Sequence, residues 1–500
     1  MRTFYPPYHQ HEPILAWGRK NKYRLSRLLP IFLAAWVCII CQASVVSGNQ
    51  SSDIADQDIM FAIEERLSKD EGVAAHHIDV IVKNGIVMAT GTVDNLLAKE
   101  RITQLASTFK GVRAVVNRIQ VAPRRSSTDS EIKDHVEQAL LDNPATELLD
   151  LHVSVQDGIV TLQGTVQSWQ EQQLSLTVAK GVQGVRDTIE RVQLATIPNR
   201  SDRALTHEIA QRLRYDVWIP HDSINVHVRN GKATLSGVVH SVEEKNRAGR
   251  LAWVFGITSV NTDGLQVNWE KQDPMQKSGL TQVPDDDIRQ AIDQALTYDP
   301  RLSSSNIEIE VNHGTITLTG IVSNLAAKAV AEHNAKNTVG VYRVMNFLKV
   351  RPSPPATDAS IENQVKAAMQ RDPFLNQEAL DVSVHEGRVY LEGKVPTTFR
   401  KSRAEFLASR VKGVVEVINR VHHPFRWLWK SDWEIKRDIR NALQWDSHLA
   451  PASIQVHVEN GQVTLRGTVQ NKEQSQLAKH IALEMGARSV RNKLETPPLH

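Results

Sequence analysis

The stretch Leu151-His-Val-Ser-Val-Gln-Asp-Gly-Ile-Val-Thr-Leu-Gln-Gly-Thr-Val166 decides the fold. Leu151, Val153 and Val155 alternate with His152, Ser154 and Gln156, the period-two pattern of a half-buried strand. Asp157-Gly158 follows, a pair that tolerates positive φ and suits a two-residue hairpin turn. Alternation resumes in Val160, Leu162, Gly164 and Val166, so both strands direct apolar side chains to the same face. The stretch predicts a β-hairpin with one wet face.

The chain carries this hairpin six times. Turn glycines Gly85, Gly158, Gly231, Gly314, Gly387 and Gly461 each precede a strand glycine by six residues: Gly91, Gly164, Gly237, Gly320, Gly393 and Gly467. A third set, Gly111, Gly184, Gly256, Gly340, Gly413 and Gly486, follows 19 or 20 residues later. Three landmarks at fixed spacing in six copies establish an internal repeat.

Around each hairpin the pattern changes to helix. Ile132/Val136/Ala139/Leu140, Ile288/Ile292/Ala295/Leu296 and Ile435/Ile439/Ala442/Leu443 mark one buried helical face upstream. Asp129 and Ser130, Asp285 and Asp286, and Ser431 and Asp432 suit an N-cap or first turn. Asn143-Pro144, Asp299-Pro300 and Asp372-Pro373 stop the helix, because the residue before proline avoids the α region. A second helix, such as residues 168–180, presents Ala and Leu inward, the third glycine caps it, and a last strand such as residues 341–350 follows.

The fold class is therefore α+β: six tandem small αββαβ two-layer sandwiches after one N-terminal apolar segment. The units span residues 56–122, 128–195, 201–269, 284–351, 357–423 and 431–496. At about 65 residues each is near the lower limit for independent folding. The connections are short and polar or proline-rich, the longest running from Glu270 to Val283, and they suit either touching units or a semi-flexible string.

Residues 1–50 read as a signal peptide or signal-anchor. Residues 1–27 hold six Arg/Lys against one acidic residue, and Leu28 to Val46 is nearly all apolar. That run is long enough to span a bilayer with its basic flank in the cytoplasm, so the repeats are expected to be exported. Small residues near Cys41-Gln42-Ala43 offer a signal-peptidase site, and the long basic region before the apolar run suits an anchor. Both cysteines, Cys38 and Cys41, fall within this run, so the repeats use no disulfide or thiolate metal site. The expected location is periplasmic, secreted, or anchored to the inner membrane by residues 28–46.

The residue order of each copy now carries a family resemblance. An alternating strand, a turn glycine, a Leu-x-Gly-x-Val strand, a helix and a Gly-Val-x-x-Val-x-Asn tail resemble the BON domain, the bacterial osmotic-stress and nodulation domain. Val112/Val116-Asn117, Ile257/Val260-Asn261, Val341/Met345-Asn346, Val414/Ile418-Asn419 and Ala487/Arg491-Asn492 supply the tail, and the second unit departs from it with Glu190. The resemblance covers nearly all of residues 56–496 and places the chain with hyperosmotically inducible periplasmic proteins. It implies an exported envelope protein that binds phospholipid membrane or supports envelope integrity under osmotic stress. Six copies exceed the family's usual two or three, which raises a length-dependent spanning role.

No nucleophile elbow, phosphate-binding glycine loop, zinc spacing or acidic metal loop appears, so neither an enzyme nor a cofactor is expected. The glycines lack a following Lys-Ser/Thr. They suit instead the positive-φ turn, the close approach of a helix to the second strand, and the helix cap. His76-His77 and His422-His423 are adjacent pairs without further ligands, while His152, His227, His385 and His457 fall at differing strand positions. No site recurs.

One feature stands outside the repeat. Phe425, Arg426, Trp427, Trp429, Lys430 and Trp433 lie between units five and six, within residues 399–440, where eleven basic residues face five acidic ones. Arg400, Lys401, Arg403, Arg410, Lys412, Lys436, Arg437 and Arg440 share this basic island. Net charge is +3, and residues 1–27 and 399–440 carry surpluses of five and six, so the remainder sums to 3 − 5 − 6 = −8. Tryptophan beside Arg/Lys suits a bilayer interface with anionic headgroups, making these six residues the candidate lipid contact. The bland reading is that the aromatics pack units five and six together while the charges are solvated. The expected partner is anionic phospholipid membrane. Other envelope proteins or a cell-wall polymer, held by a periplasmic spacer or scaffold, are the alternative. No nucleic acid is expected, given export and the acidic remainder.

Overall fold

Asp157 and Gly158 both take positive φ, 54° and 76°, the turn geometry whose twist matches a two-residue hairpin. Strand Leu151–Gln156 pairs antiparallel with Ile159–Val166, Leu151 facing Gly164 and Gln156 facing Ile159. The same hairpin recurs in all six copies of the computed structural model. The structure describes residues 54–73, 78–125, 127–195, 200–271, 283–303, 305–352, 354–423, 430–449 and 454–496. The N-terminal apolar run and most of the connection between units three and four lie outside them.

Each unit follows the expected order of helix, hairpin, helix and strand. The last strand pairs parallel to the second hairpin strand, as Asp187–Leu194 does with Ile159–Val166, so the second hairpin strand is central. Among the described residues this gives twelve α-helices and six separate mixed sheets of three or four strands.

Both helices cover the same sheet face. In the second unit, Ile132, Val136 and Leu140 from the first helix meet Val153, Val160, Leu162 and Val166 from the strands, all buried. Burying one such side chain contributes about 2 kcal/mol. Second helices present small residues at four-residue spacing, such as Ala327, Ala331 and Ala335, all buried. Ile102, Val178 and Ile481 show that this inner face also accepts β-branched residues.

The first-helix aspartates reach further than capping. Thr128 is the N-cap and forms a capping box with Glu131, while Ser431 does the same with Glu434. Asp129 is the first helical residue, and its carboxylate accepts the Asp157 and Gly158 amides at 2.8 and 2.9 Å. Asp56, Asp202, Asp285, Asp358 and Asp432 clamp their own turns in the same way. Accepting two amides holds the Asp202, Asp285 and Asp358 carboxyls below their usual range. Each clamp joins helix to hairpin across 28 or 29 residues.

The turn is served unequally by sequence. Glu386 takes φ 50° where four copies place Asn or Asp, residues that visit this region more readily. Glu386→Asn is expected to stabilise the protein by about 0.5–1 kcal/mol. A rise in the urea midpoint checks this, and an unchanged or lower midpoint counts against it.

The tail asparagine is also structural. Asn117 donates to the Lys99 carbonyl at 2.8 Å and accepts the Ile119 amide at 3.0 Å, tying the last strand to the second helix. Asn346, Asn419 and Asn492 repeat both bonds. In the second unit, where Glu190 replaces it, Gln172 reaches from the helix to the Val192 carbonyl at 2.8 Å.

The glycine roles differ from expectation in two places. A Cβ on Gly164 would stand 2.4 Å from the Asp150 carbonyl oxygen, so the strand glycine makes room for backbone rather than for a helix. The helix approaches at the third glycine instead: a Cβ on Gly340 would stand 2.8 Å from Ile288 Cδ1 of the first helix. Only in unit six, whose second helix ends at Glu484, does that glycine follow the helix as closely as a cap requires. In unit one the helix ends at Ser107, four residues before Gly111.

Asp53–His500 forms one compact body, not an extended string. The chain folds back so that its units meet in nested pairs. Unit one meets unit six where the Lys110 amide donates to Trp445 O at 2.9 Å and the Ser447 amide to Thr108 O at 2.8 Å. Unit two meets unit five through the Gln183 amide and Arg371 O at 2.8 Å, and through the Arg371–Asp142 ion pair at 2.6 Å. Unit three meets unit four where the Val217 amide donates to Asn337 O and the Val339 amide to Tyr215 O. Consecutive units two and three add a parallel stack of Trp169 on Trp253, 5.4 Å between centroids.

Candidate functional site

Of the six residues expected to touch lipid, Phe425, Arg426, Trp427 and Trp429 lie outside the described residues. Lys430 and Trp433 flank the start of the sixth unit's first helix, Asp432–Trp445. Trp433 occupies its first turn and is 66% exposed. Arg437, one turn on, holds its guanidinium 5.1 Å from the ring centroid. This places an exposed indole beside a cation.

Lys430 turns inward. Its Nζ donates to Asp438 Oδ2 at 2.8 Å and to the Met485 carbonyl at 3.1 Å. Asp438 is 1% exposed and also receives Arg437 at 2.8 Å and Lys69 of unit one at 3.0 Å. Burial alone would raise the Asp438 carboxyl, yet hydrogen bonds from Lys430, Arg437 and Lys69 hold it below the usual range.

Much of the basic island is likewise engaged. Arg400 pairs with Glu378, Arg403 with Asp372 at 2.7 Å, and Lys412 with Glu147 of unit two at 2.9 Å. Arg403 and Arg410 both lie 5.3 Å from the centroid of half-exposed Phe406. These charges are therefore built into ion pairs, two within unit five and one between units five and two, and are not merely solvated. Sequence reading counted cations and could not see which acceptors the fold brings to them, in the same unit for Arg400 and Arg403 and in unit two for Lys412.

The outward sheet face of unit one, missed by sequence reading, is apolar. Ile81 faces Met88, and Met88 faces Val116, across three neighbouring strands, with Ile86 alongside. Ile81, Ile86 and Val116 are 55%, 45% and 39% exposed. The signal was present as Ile81, at a position the other copies fill with Ser, His or Glu, and as Ile86, where only the second unit, with Ile159, is also apolar.

The sequence divides into matching pieces when compared with known families. The BON domain family model matches residues 55–123, 128–196, 201–268, 284–352, 357–422 and 431–498. The chain belongs to the BON domain family. It is similar to osmotically-inducible protein Y of Escherichia coli (strain K12), 32% identical over 142 residues, which are 27% of this chain and 71% of that protein. It is also similar to outer membrane lipoprotein DolP of Haemophilus influenzae (strain ATCC 51907 / DSM 11121 / KW20 / Rd), 30% identical over 130 residues, 25% of this chain and 66% of that protein. Among solved structures, the C-terminal domain of CdsD, a structural protein of the type III secretion system of Chlamydia trachomatis, matches at 17% identity. That match covers 41% of this chain and 96% of that one at a TM-score of 0.12, too slight to bear on how the units are arranged.

Across the BON units the histidines do not converge. His152, His227, His385 and His457 are exposed on the hairpins, and His76-His77 lies outside the described residues. His422 continues the fifth sheet, its amide bonded to Gly393 O at 2.9 Å. Among the described residues no group of three or more His, Cys, Asp or Glu side chains could hold a metal. No described helix is long and apolar enough to cross a membrane.

Proposed function

We propose that this is a non-enzymatic, exported envelope protein whose BON units bind anionic phospholipid membrane and support envelope integrity or osmotic-stress tolerance. The observation that carries the lipid reading is Trp433, exposed, with Arg437 against its ring, at the end of the aromatic-basic stretch. An indole next to a cation suits the headgroup level of a bilayer, where each nearby Lys or Arg contributes about 1 kcal/mol. The names of the two curated relatives, one osmotically inducible and one an outer membrane lipoprotein, support the envelope and stress part.

Co-sedimentation of residues 51–500 with neutral and anionic liposomes across a salt series tests it. Binding to the anionic set is expected, weakening with salt. Trp433→Ala is expected to lower the affinity about fivefold, and replacing Trp427 and Trp429 as well should abolish it. Because Arg400, Arg403, Lys412 and Lys430 are held in ion pairs, the salt dependence should be shallower than eleven free cations would give. No sedimentation with anionic liposomes at low salt sinks the lipid reading.

A second reading is a periplasmic scaffold that binds another envelope protein or a cell-wall polymer. It is favoured by the apolar row Ile81, Met88 and Val116, in which Ile81 and Val116 are exposed and Met88 is partly buried. The nested pairing leaves no extended string, so such a scaffold presents surfaces and does not span distance. Its partner binding would survive the tryptophan substitutions.

A further inference from the structure

Helices of units one to four converge on a cavity of about 710 Å³, within the range of small-molecule sites. Its wall is polar. Three carboxylates line it, and each already holds a cation. Asp216 takes Arg247 through Nε at 2.8 Å and Nη2 at 2.6 Å. Asp299 takes Arg301 at 2.5 Å, and Glu100 takes Lys180 at 2.5 Å. A fourth lining cation, Arg250, pairs outside the wall with Glu243 at 2.6 Å.

Arg212 is different. Its Nη1 donates to the Leu251 and Trp253 carbonyls at 3.0 and 3.3 Å, and its guanidinium lies 4.2 Å from the Tyr298 ring centroid. Among the described residues no carboxylate stands within ion-pair distance of it. Burial lowers its pKa to about 10, while the charges of Glu208 and Asp216, each engaged with another arginine, act in the opposite direction. Glu208, which could have served, instead accepts the Tyr298 hydroxyl at 2.5 Å and pairs with Arg200.

The same wall offers amides. Gln170 donates to Trp253 O at 2.7 Å and Asn334 to Asp299 at 3.0 Å. The side-chain amides of Gln173 and Gln294 line the cavity and bond no protein group among the described residues. A buried cation in no ion pair among the described residues, beside free donors and acceptors and the rims of Trp169 and Tyr215, matches a ligand with one acidic group and several hydroxyls.

We propose that this cavity binds a small soluble sugar anion, a sugar phosphate or sugar acid, with Arg212 holding the acidic group and Gln173 and Gln294 bonding hydroxyls. The site exists only where four units meet, so a two-unit fragment does not carry it. It is separate from the Trp433 surface and does not depend on lipid binding.

Calorimetric titration of the full-length chain with glucose 6-phosphate, glucuronate and neutral glucose tests the proposal. Either anion is expected to bind saturably, one per chain, at least about tenfold tighter than glucose, because a charge-assisted bond is lost with the neutral sugar. Arg212→Gln should weaken the anion about tenfold or more, and Gln294→Leu about fivefold. Thermal melts followed by circular dichroism show whether each variant is folded. Should Arg212→Gln fail to fold, Gln294→Leu, which leaves every buried charge in place, still decides the matter. No saturable anion binding at millimolar concentration overturns the proposal, as does binding that folded variants leave unaltered.

Discussion

Gly320→Ala is expected to destabilise the protein by about 4 kcal/mol, more than any surface change elsewhere in the repeats. The position sits at φ 124°, which side-chain-bearing residues rarely adopt. A Cβ there would stand 1.9 Å from the Asn306 carbonyl oxygen, a backbone atom that cannot swing aside. Gly320 faces Ile307 in the hairpin, so relief would require moving the entry of the first strand and with it the fourth sheet. Its equivalents grade the effect. Gly237 meets Ser223 O at 1.9 Å, Gly164 meets Asp150 O at 2.4 Å, and Gly393 meets Ala379 O at 2.7 Å. Alanine at Gly393 should therefore cost about half as much. Urea unfolding followed by far-ultraviolet circular dichroism measures the series. An ordering unrelated to these distances, or a Gly320→Ala midpoint equal to wild type, would show that the backbone yields and the steric account is mistaken.

These glycines also show what the sequence makes legible. Their spacing reveals the hairpin, the turn and the six-fold repeat, because period-two alternation and left-handed turns leave marks along one short segment. Their individual roles were partly exchanged, because a strand glycine reports close approach without saying which atoms approach. Asp129 and its counterparts read as helix-start residues and are so, yet their carboxylates bind a turn 28 residues away. A local capping signal accounts for the residue type and conceals the longer contact. The nested pairing left no local trace: Arg371 and Asp142 are 229 residues apart, and neither stands in an unusual sequence context. Arg400, Arg403 and Lys412 likewise read as an open basic surface when each has a carboxylate partner, which folding brings from 22 and 31 residues away within unit five and from unit two. Counting charge along a chain measures supply, whereas binding depends on what remains after the fold has used its share.

Asp438 is where that remainder can be changed at one position. Its buried carboxylate holds Lys69, Lys430 and Arg437 together, joining units one and six. Asp438→Ala leaves three cations facing a site without an anion. Breaking a buried pair costs about 3–5 kcal/mol, but Lys430 and Arg437 reach solvent, so a loss of about 2–3 kcal/mol is expected. The change should be local. Exchange of the Lys110 amide, bonded to Trp445 O across the same interface, should speed up while the amides of unit three hold their rates. Acid should imitate the substitution only at low pH. The Asp438 carboxyl is held below its usual value, so its contribution is complete above the ordinary carboxylate range and disappears as pH falls through its lowered pKa. Nearby Glu484 behaves alike: burial would raise it, but the His480 hydrogen bond and the Arg66 charge bring it down to about 2. The contact between units one and six should thus persist through mild acid and open as pH approaches about 2. Asp438→Ala also releases Lys430 and Arg437 beside the exposed Trp433, so binding to anionic liposomes should strengthen while stability falls. Stability and lipid affinity moving in opposite directions would place both on one set of charges. A parallel fall in both, with the protein still folded, would mean that these cations serve the interface alone.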